Sequence, residues 1–290
     1  MPDPVILVVG SLHYDIMVES STLPRKDETA VGSRWYPKFG GKGGNQAVSC
    51  AKQGVPSRMV GAVGQDDFGR FLLEKLASAG VDSRFVAQVA GVGSGMSVAI
   101  MDAAGDYAAT IVSGANLQIA PESLTDPAIW DGVAILVLQN EVHEAVNMAA
   151  AQEARRRGIP TLLNAAPCRA LSSDFKALVD ILVVNAVEAE MMGSDPVCCL
   201  HSAADAAHHL AAEFEAVIVT AGGQGLAVWT AQDETFQLPA EKVQVVSSHG
   251  AGDAFIGALA YSLAGGNGLK QACQTAAHAA ALHVSSPHQA

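Results

Sequence analysis

The chain has 290 residues, half of them hydrophobic, with 28 glycines and a formal net charge of -12. That length and apolar content bury a sizeable core without disulfides or structural metal, and the acidic balance argues against nucleic-acid binding, which depends on clustered Lys and Arg. Five cysteines (Cys50, Cys168, Cys198, Cys199 and Cys273) form no C-x-x-C pair and no apolar run approaches bilayer length, so a reduced, cytoplasmic setting is expected.

Residues 5–10, VILVVG, read as a buried parallel strand, because the run is apolar on both faces instead of alternating. The next segment, GSLHYD (10–15), sets His13 and Asp15 at the carboxyl end of that strand, where open α/β sheets bind ligands. Taken alone, His13 reads equally well as a surface histidine. Residues 14–39 break the rhythm, and FGGKGGNQA (39–47) then makes a glycine-rich turn that opens a helix over about 42–54. Lys42 and Asn45 lie one turn apart on the same side of it. The spacing is not that of a P-loop, since G-x-x-x-x-G-K-[ST] is absent; an ordinary strand-to-helix turn has the same look.

RMVGAV (58–63) is the next strand, followed by a helix over about 67–79 with Asp67 as its N-cap and Gly80 as its stop. In 96–112, SVAIMD and YAATIV flank the turn AAGD; with 14–39 these read as short paired strands of a lid. Strands at 133–138, 160–164, 180–184 and 216–220, separated by helices at about 142–157 and 201–213, carry the βαβ alternation on. Arg155, Arg156 and Arg157 form the cationic last turn of the first of these helices, which Gly158 stops.

Three later segments carry chemistry. VVNAVEAE (183–190) sets Asn185 and Glu188 just past a strand, although Glu188 alone reads as an exposed helical carboxylate. VTAGGQG (219–225) is a strand ending in a glycine-rich loop. In SSHGAGDAFIGALAYSLAGG (247–266) the small residues Gly250, Ala251 and Gly252 lead into Asp253 and a long helix. Unpaired N–H groups at a helix N-terminus suit a phosphate, and a carboxylate beside them suits proton removal from an attacking alcohol. Asp is also a favoured helix cap, so this segment by itself leaves both readings open.

In this order, FGGKGGNQA, N-x-x-E, T-x-G-x-x-G and GAGD resemble the ribokinase-like (PfkB) carbohydrate kinase family over essentially residues 5 to 284. GGKGGNQA and SGANLQI (113–119) are most similar to the ribokinases within it. The resemblance implies a three-layer α/β sandwich with a mainly parallel central sheet and a small β-sheet lid. It implies one kinase domain over residues 1–290, lid strands drawn from about 14–39 and 96–112, and homodimers joined through the lids. The implied reaction is ATP-dependent phosphorylation of a sugar primary hydroxyl, D-ribose to ribose 5-phosphate first. Fructose, another ketose or a nucleoside are the alternative acceptors, and a sugar-binding protein of little turnover is the alternative of another class.

By the same resemblance, His13, Asp15, Gly41, Lys42, Asn45 and Glu141 contact the sugar, Asp253 is the base, and Gly250, Ala251 and Gly252 form the anion hole. Asn185, Thr220, Gly222, Gly223, Gly225, Gly252 and His278 hold the nucleotide, and Glu188 holds Mg²⁺ through water. The chain departs from the family pattern in three places. His13 stands where ribokinases carry Asn, which leaves the acceptor open. SSHGAGD replaces D-T-x-G-A-G-D, so Ser247 occupies the place of an acidic residue that helps hold a monovalent cation. The chain stops at SSPHQA, where the pattern continues through a cation loop and a last helix. A hydroxyl lacks the carboxylate's charge, which weakens the expectation of potassium activation.

Overall fold

The computed structural model describes residues 3–104, 106–231 and 235–286. β1 (Val5–Val9) passes through residues 10–12 into β2 (His13–Ser20) and β3 (Gly32–Gly40), followed by α1 (Lys42–Lys52), β4 (Ser57–Gly64), α2 (Asp67–Ser78), β5 (Val81–Val89), β6 (Met96–Met101) and β7 (Tyr107–Val112). Short 3-10 turns occupy most of residues 114–130. After them come β8 (Val133–Gln139), α3 (Glu144–Arg157), β9 (Thr161–Asn164), α4 (Ser173–Lys176), β10 (Ile181–Asn185), α5 (Ala186–Met191) and α6 (Leu200–Leu210). β11 (Ala216–Thr220), β12 (Gly225–Thr230), β13 (Phe236–Pro239), α7 (Ala251–Ala264) and α8 (Leu269–Ser285) complete the described chain.

Among the described residues, nine strands form one sheet in the order β13-β12-β11-β10-β9-β8-β1-β4-β5. All of its pairings are parallel except β11–β12 and β12–β13. Successive side chains of a strand leave on opposite faces, and the central strands are apolar on both. Leu7, Val9, Leu136 and Leu138 pack toward α3 and α6, while Ile6, Val8, Ile135 and Val137 pack toward α1, α7 and α8. Helices therefore cover both faces, which explains the uninterrupted apolar runs.

A second sheet, β3-β2-β6-β7, stands apart from the first and matches the expected lid. Tyr14 of β2 stacks on Phe68 of α2 with ring centroids 4.0 Å apart, and this anchors the lid's root to the sandwich. Two expectations need correction. The N-cap of α2 is Asp66, whose side chain accepts the Gly69 N–H, and Asp67 is the first helical residue. His13 and Asp15 belong to lid strand β2, not to the end of β1, because the chain turns into the lid within residues 10–12. Gly105 of the AAGD turn and the last four residues of SSPHQA lie outside the described residues.

Candidate active site

Polar side chains end the parallel strands in register. Gln139 of β8 pairs with Asn164 of β9, and Asn185 of β10 pairs with Thr220 of β11. The carboxyl edge of the sheet, where α/β sheets collect ligands, is thus lined by amides and a hydroxyl instead of the Val, Ile and Leu behind them. The lid root, the N-terminus of α1 and the N-terminus of α7 all converge on this edge.

Gly41 precedes α1 with φ 86, and a Cβ there would lie 2.8 Å from both the His13 nitrogen and the Leu12 Cα. Only glycine lets α1 start so close to the lid root. The start is fixed from the other side by Glu141, whose Oε2 accepts the Lys42 N–H at 2.8 Å and the Ser11 hydroxyl at 2.5 Å. His13 Nδ1 stands 4.0 Å from the same oxygen, and His13 Nε2 is buried with no hydrogen-bond partner among the described residues. Asp15 accepts the Ser97 hydroxyl from the neighbouring lid strand at 2.6 Å. Burial lifts the Asp15 carboxyl above the ordinary range; Ser97, His13 and Lys38 pull it back, and Glu141 pushes it further up.

Asp253 is the third residue of α7, and the cap position belongs to Gly250, which has φ 82. The capping reading of Asp253 therefore falls away. Its Oδ1 accepts a hydrogen bond from Gln46 Nε2 at 3.0 Å. Burial raises the Asp253 carboxyl, Lys42 together with Gln46 and Asn45 opposes the rise, and Glu141 adds to it. Of the expected anion hole, the Ala251 N–H turns back to the Ser248 carbonyl at 3.3 Å. Gly252 and Asp253 are the second and third helical residues, whose N–H groups the helix itself cannot bond. A Cβ on Gly252 would meet nothing within 4 Å, so the space above it is open.

On the other flank, Asn185 and Glu188 form a reciprocal capping box on α5, with Glu188 Oε2 accepting the Asn185 N–H at 2.9 Å and Asn185 Oδ1 accepting the Glu188 N–H at 2.8 Å. Burial raises the Glu188 carboxyl, while the Lys42 charge lowers it. Thr220 donates to the Val184 carbonyl at 3.4 Å. Gly222 and Gly223 form a short 3-10 turn that Gly225 ends. His278 lies on α8 and faces Glu241 at 3.0 Å. Ser247 accepts the His249 N–H at 3.3 Å. His13, Asp15, Lys42, Asn45, Glu141, Glu188 and Asp253 are thus linked by contact or by mutual charge, whereas His278 and Ser247 occupy a separate region beside α8.

Sequence reasoning did not single out Ser11, Gln46, Ser97, Gln139 or Asn164. Gln139 had a visible signal: it is a polar residue closing an otherwise apolar strand run, LVLQ.

A family model described as "pfkB family carbohydrate kinase" matches residues 4–289. The ribokinase of Mus musculus is 34% identical over 263 residues, covering 89% of this chain and 81% of that protein. The deoxyribokinase of Salmonella typhi is 32% identical over 283 residues, covering 96% of this chain and 92% of that protein. The structure of Arabidopsis thaliana ribokinase complexed with ribose and ATP superposes with a TM-score of 0.91 at 28% identity, over 99% of this chain and 94% of that one.

Proposed function

Because the chain belongs to the pfkB family of carbohydrate kinases, and is accordingly an ATP-dependent sugar kinase, we propose that it transfers the γ-phosphoryl group of ATP to the primary hydroxyl of ribose. The observation that carries this reading is Asp253, a half-buried carboxylate within the first turn of α7 beside the open N–H groups of that helix. The acceptor hydroxyl gives its proton to Asp253 as its oxygen attacks the γ-phosphorus. The N–H groups of Gly252 and Asp253 and the ammonium of Lys42 offset the charge on the transferring phosphoryl oxygens. His13, Asp15, Gly41, Asn45 and Glu141 hold the sugar. Asn185, Thr220, Gly222, Gly223, Gly225 and His278 hold the nucleotide.

Glu188 fits a hard divalent cation: it offers a carboxylate oxygen not used by its capping box, on the nucleotide flank. Mg²⁺ bound there, through water, supplies charge neutralisation at the phosphates. Ser247 brings no charge to a monovalent cation; its hydroxyl accepts the His249 N–H and keeps one lone pair for weak coordination. Activation by potassium over sodium is therefore expected to be weak.

The chain acts as one kinase domain in the cytoplasm, and its lid joins a second copy. Met101 and Ile111, 36% and 59% exposed on the lid face that also carries Asp15 and Ser97, support the pairing. A deoxyribose acceptor is the second reading, favoured by the deoxyribokinase relative at nearly the same identity. The test is ATP consumption with mass detection of product, using ribose, 2-deoxyribose, fructose and several nucleosides with Mg²⁺. A phosphoribose product with the highest kcat/KM supports the reading, and a preference for any other acceptor replaces ribose by it.

A further inference from the structure

Behind Asp253 runs a chain of side-chain amides whose direction is set from the Val183 end. Asn164 Nδ2 donates to the Val183 carbonyl at 3.4 Å, so its Oδ1 turns toward α1 and accepts Gln46 Nε2 at 3.1 Å. The same Gln46 nitrogen donates to Asp253 Oδ1 at 3.0 Å. Gln46 Oε1, on its far side, accepts Gln139 Nε2 at 2.8 Å. Gln46 and Gln139 are both 0% exposed. Two glutamines in the core of a site need a reason, because a buried amide is costly unless its groups are bonded, and Gln139 Oε1 has no hydrogen-bond partner among the described residues.

The direction of the chain matters. If the Gln46 amide turned over, its oxygen would face the Asp253 carboxylate and the Asn164 oxygen, and its nitrogen would face the Gln139 nitrogen. All three contacts would become unfavourable. The backbone carbonyl of Val183 fixes Asn164 at one end, and Gln139 Nε2 supports the same orientation from the other, although Gln139 Oε1 has no hydrogen-bond partner of its own among the described residues.

We propose that Gln46 is a positioning residue for phosphoryl transfer, locked in one amide orientation by Gln139 and Asn164, so that Asp253 is held by Oδ1 and presents Oδ2 to the acceptor hydroxyl. The proposal rests on Asp253 being the base. A donor on one oxygen keeps the carboxylate ionised against its burial and fixes its plane, both of which a general base requires. The other groups that bear on Asp253 are Lys42 and Asn45 from α1 and Glu141 from the segment after β8. Lys42 and Asn45 act in the same sense as Gln46, and Glu141 acts against it. Among the described residues Gln139 makes no hydrogen bond to Asp253, so an uncharged substitution at 139 reaches the base through Gln46.

The test uses Gln139→Glu, Gln139→Met and Gln46→Met in the full chain. A carboxylate at 139 accepts where the amide donated, which favours the reversed Gln46. Met at either position removes the polar group at similar volume. The readouts are the ¹³C carboxyl titration of Asp253 in the unliganded protein, assigned by its loss in Asp253→Asn, and kcat/KM for the best acceptor against pH. The expected result is that Gln46→Met raises the Asp253 midpoint by about one pH unit and that Gln139→Met moves it in the same direction; Gln139→Glu also raises it, but by its own charge as well as through Gln46, so the two Met variants carry the test. kcat should fall about tenfold or more with little change in KM for the acceptor, as for loss of a transition-state contribution.

A lowered unfolding temperature with the Asp253 midpoint and the acidic limb unmoved overturns the proposal, because that is what filler amides would give. Should Gln139→Glu fail to fold, the two Met variants decide on the same readouts. The two readings fail differently. Asp253→Asn with undiminished kcat removes the base assignment whatever the glutamine variants do, whereas an inactive Asp253→Asn with an unmoved Asp253 midpoint removes the relay alone.

Discussion

Glu141 accepts the backbone N–H of Lys42 at 2.8 Å, across 99 residues of sequence. The bond occupies the main chain of Lys42 and leaves its ammonium acting on two carboxylates at once, the proposed base Asp253 and the proposed cation-holding Glu188. In the proposed reaction, a cation that acts on both of these carboxylates offsets the charge that develops as the phosphoryl group moves.

Replacing that cation is expected to impair the chemical step more than binding. Lys42→Met should lower kcat by about a hundredfold or more, as for loss of one preorganised charge. It should also move the acidic limb of kcat/KM to higher pH, since Lys42 holds the Asp253 carboxyl down against its burial. A pH–rate profile of the variant checks both. An unchanged acidic limb would place the ammonium away from the base.

Glu141 acts on the same group with the opposite sign. Its negative charge raises both Asp253 and Asp15, so Glu141→Gln should shift the acidic limb to lower pH. The variant keeps an oxygen for the Lys42 N–H and the Ser11 hydroxyl but loses the charge that strengthens those bonds. KM for the acceptor should therefore rise roughly tenfold, corresponding to about 1.4 kcal/mol. Lys42→Met and Glu141→Gln thus move one limb in opposite directions, which a merely structural perturbation would not do.

Asp253 itself couples activity to stability. Its folded carboxyl is raised, so the ionised form is less favourable in the fold than in the unfolded chain, and the native protein loses stability as pH climbs from the ordinary carboxylate value through the folded one. Asp253→Asn removes the charge while still accepting from Gln46. Turnover should drop by about 10²–10⁴, while the unfolding temperature at pH 8 rises above that of the native protein and the two converge near pH 4. Melting curves across that range test it, and a variant less stable at pH 8 contradicts the burial argument.

Much of the sandwich was legible because its strands are apolar on both faces and end in turn residues. β8, β9, β10 and β11 fall within a residue of where VAILVL and its successors suggested. β5 (VDSRFVAQV) was not legible: it lies at the sheet edge, and its charged and polar residues hide the pattern. Site motifs bounded by glycine were visible as local signals, but the contacts that organise them were not. Ser11 meets Glu141 across 130 residues and Gln46 meets Asp253 across 207, separations at which no local periodicity carries information. The lid was legible as a hairpin at 96–112, where β6 and β7 lie, and elsewhere only as broken rhythm over 14–39.

One ion pair far from the chemistry gives the fold its own pH dependence. Arg58 is 8% exposed; its Nη1 donates to the carbonyls of Ile129 at 2.8 Å and Asp131 at 2.9 Å, and its Nε donates to Asp82 at 2.9 Å. Arg84 and Arg58 together hold the Asp82 carboxyl far below the ordinary range. A carboxyl depressed on folding contributes stability that is present above its unfolded value, near pH 4, and lost as pH falls below it. Asp82→Asn should therefore lower the unfolding temperature by about 5 °C at pH 7, because it leaves a buried guanidinium without its counter-charge. The deficit should shrink as the native protein is taken below about pH 4, where its own Asp82 begins to lose the same stabilisation. A deficit that stays constant down to pH 2 would mean that Asp82 contributes through shape and hydrogen bonding, and that its charge is not what holds the 3-10 turns of residues 127–130 against β4.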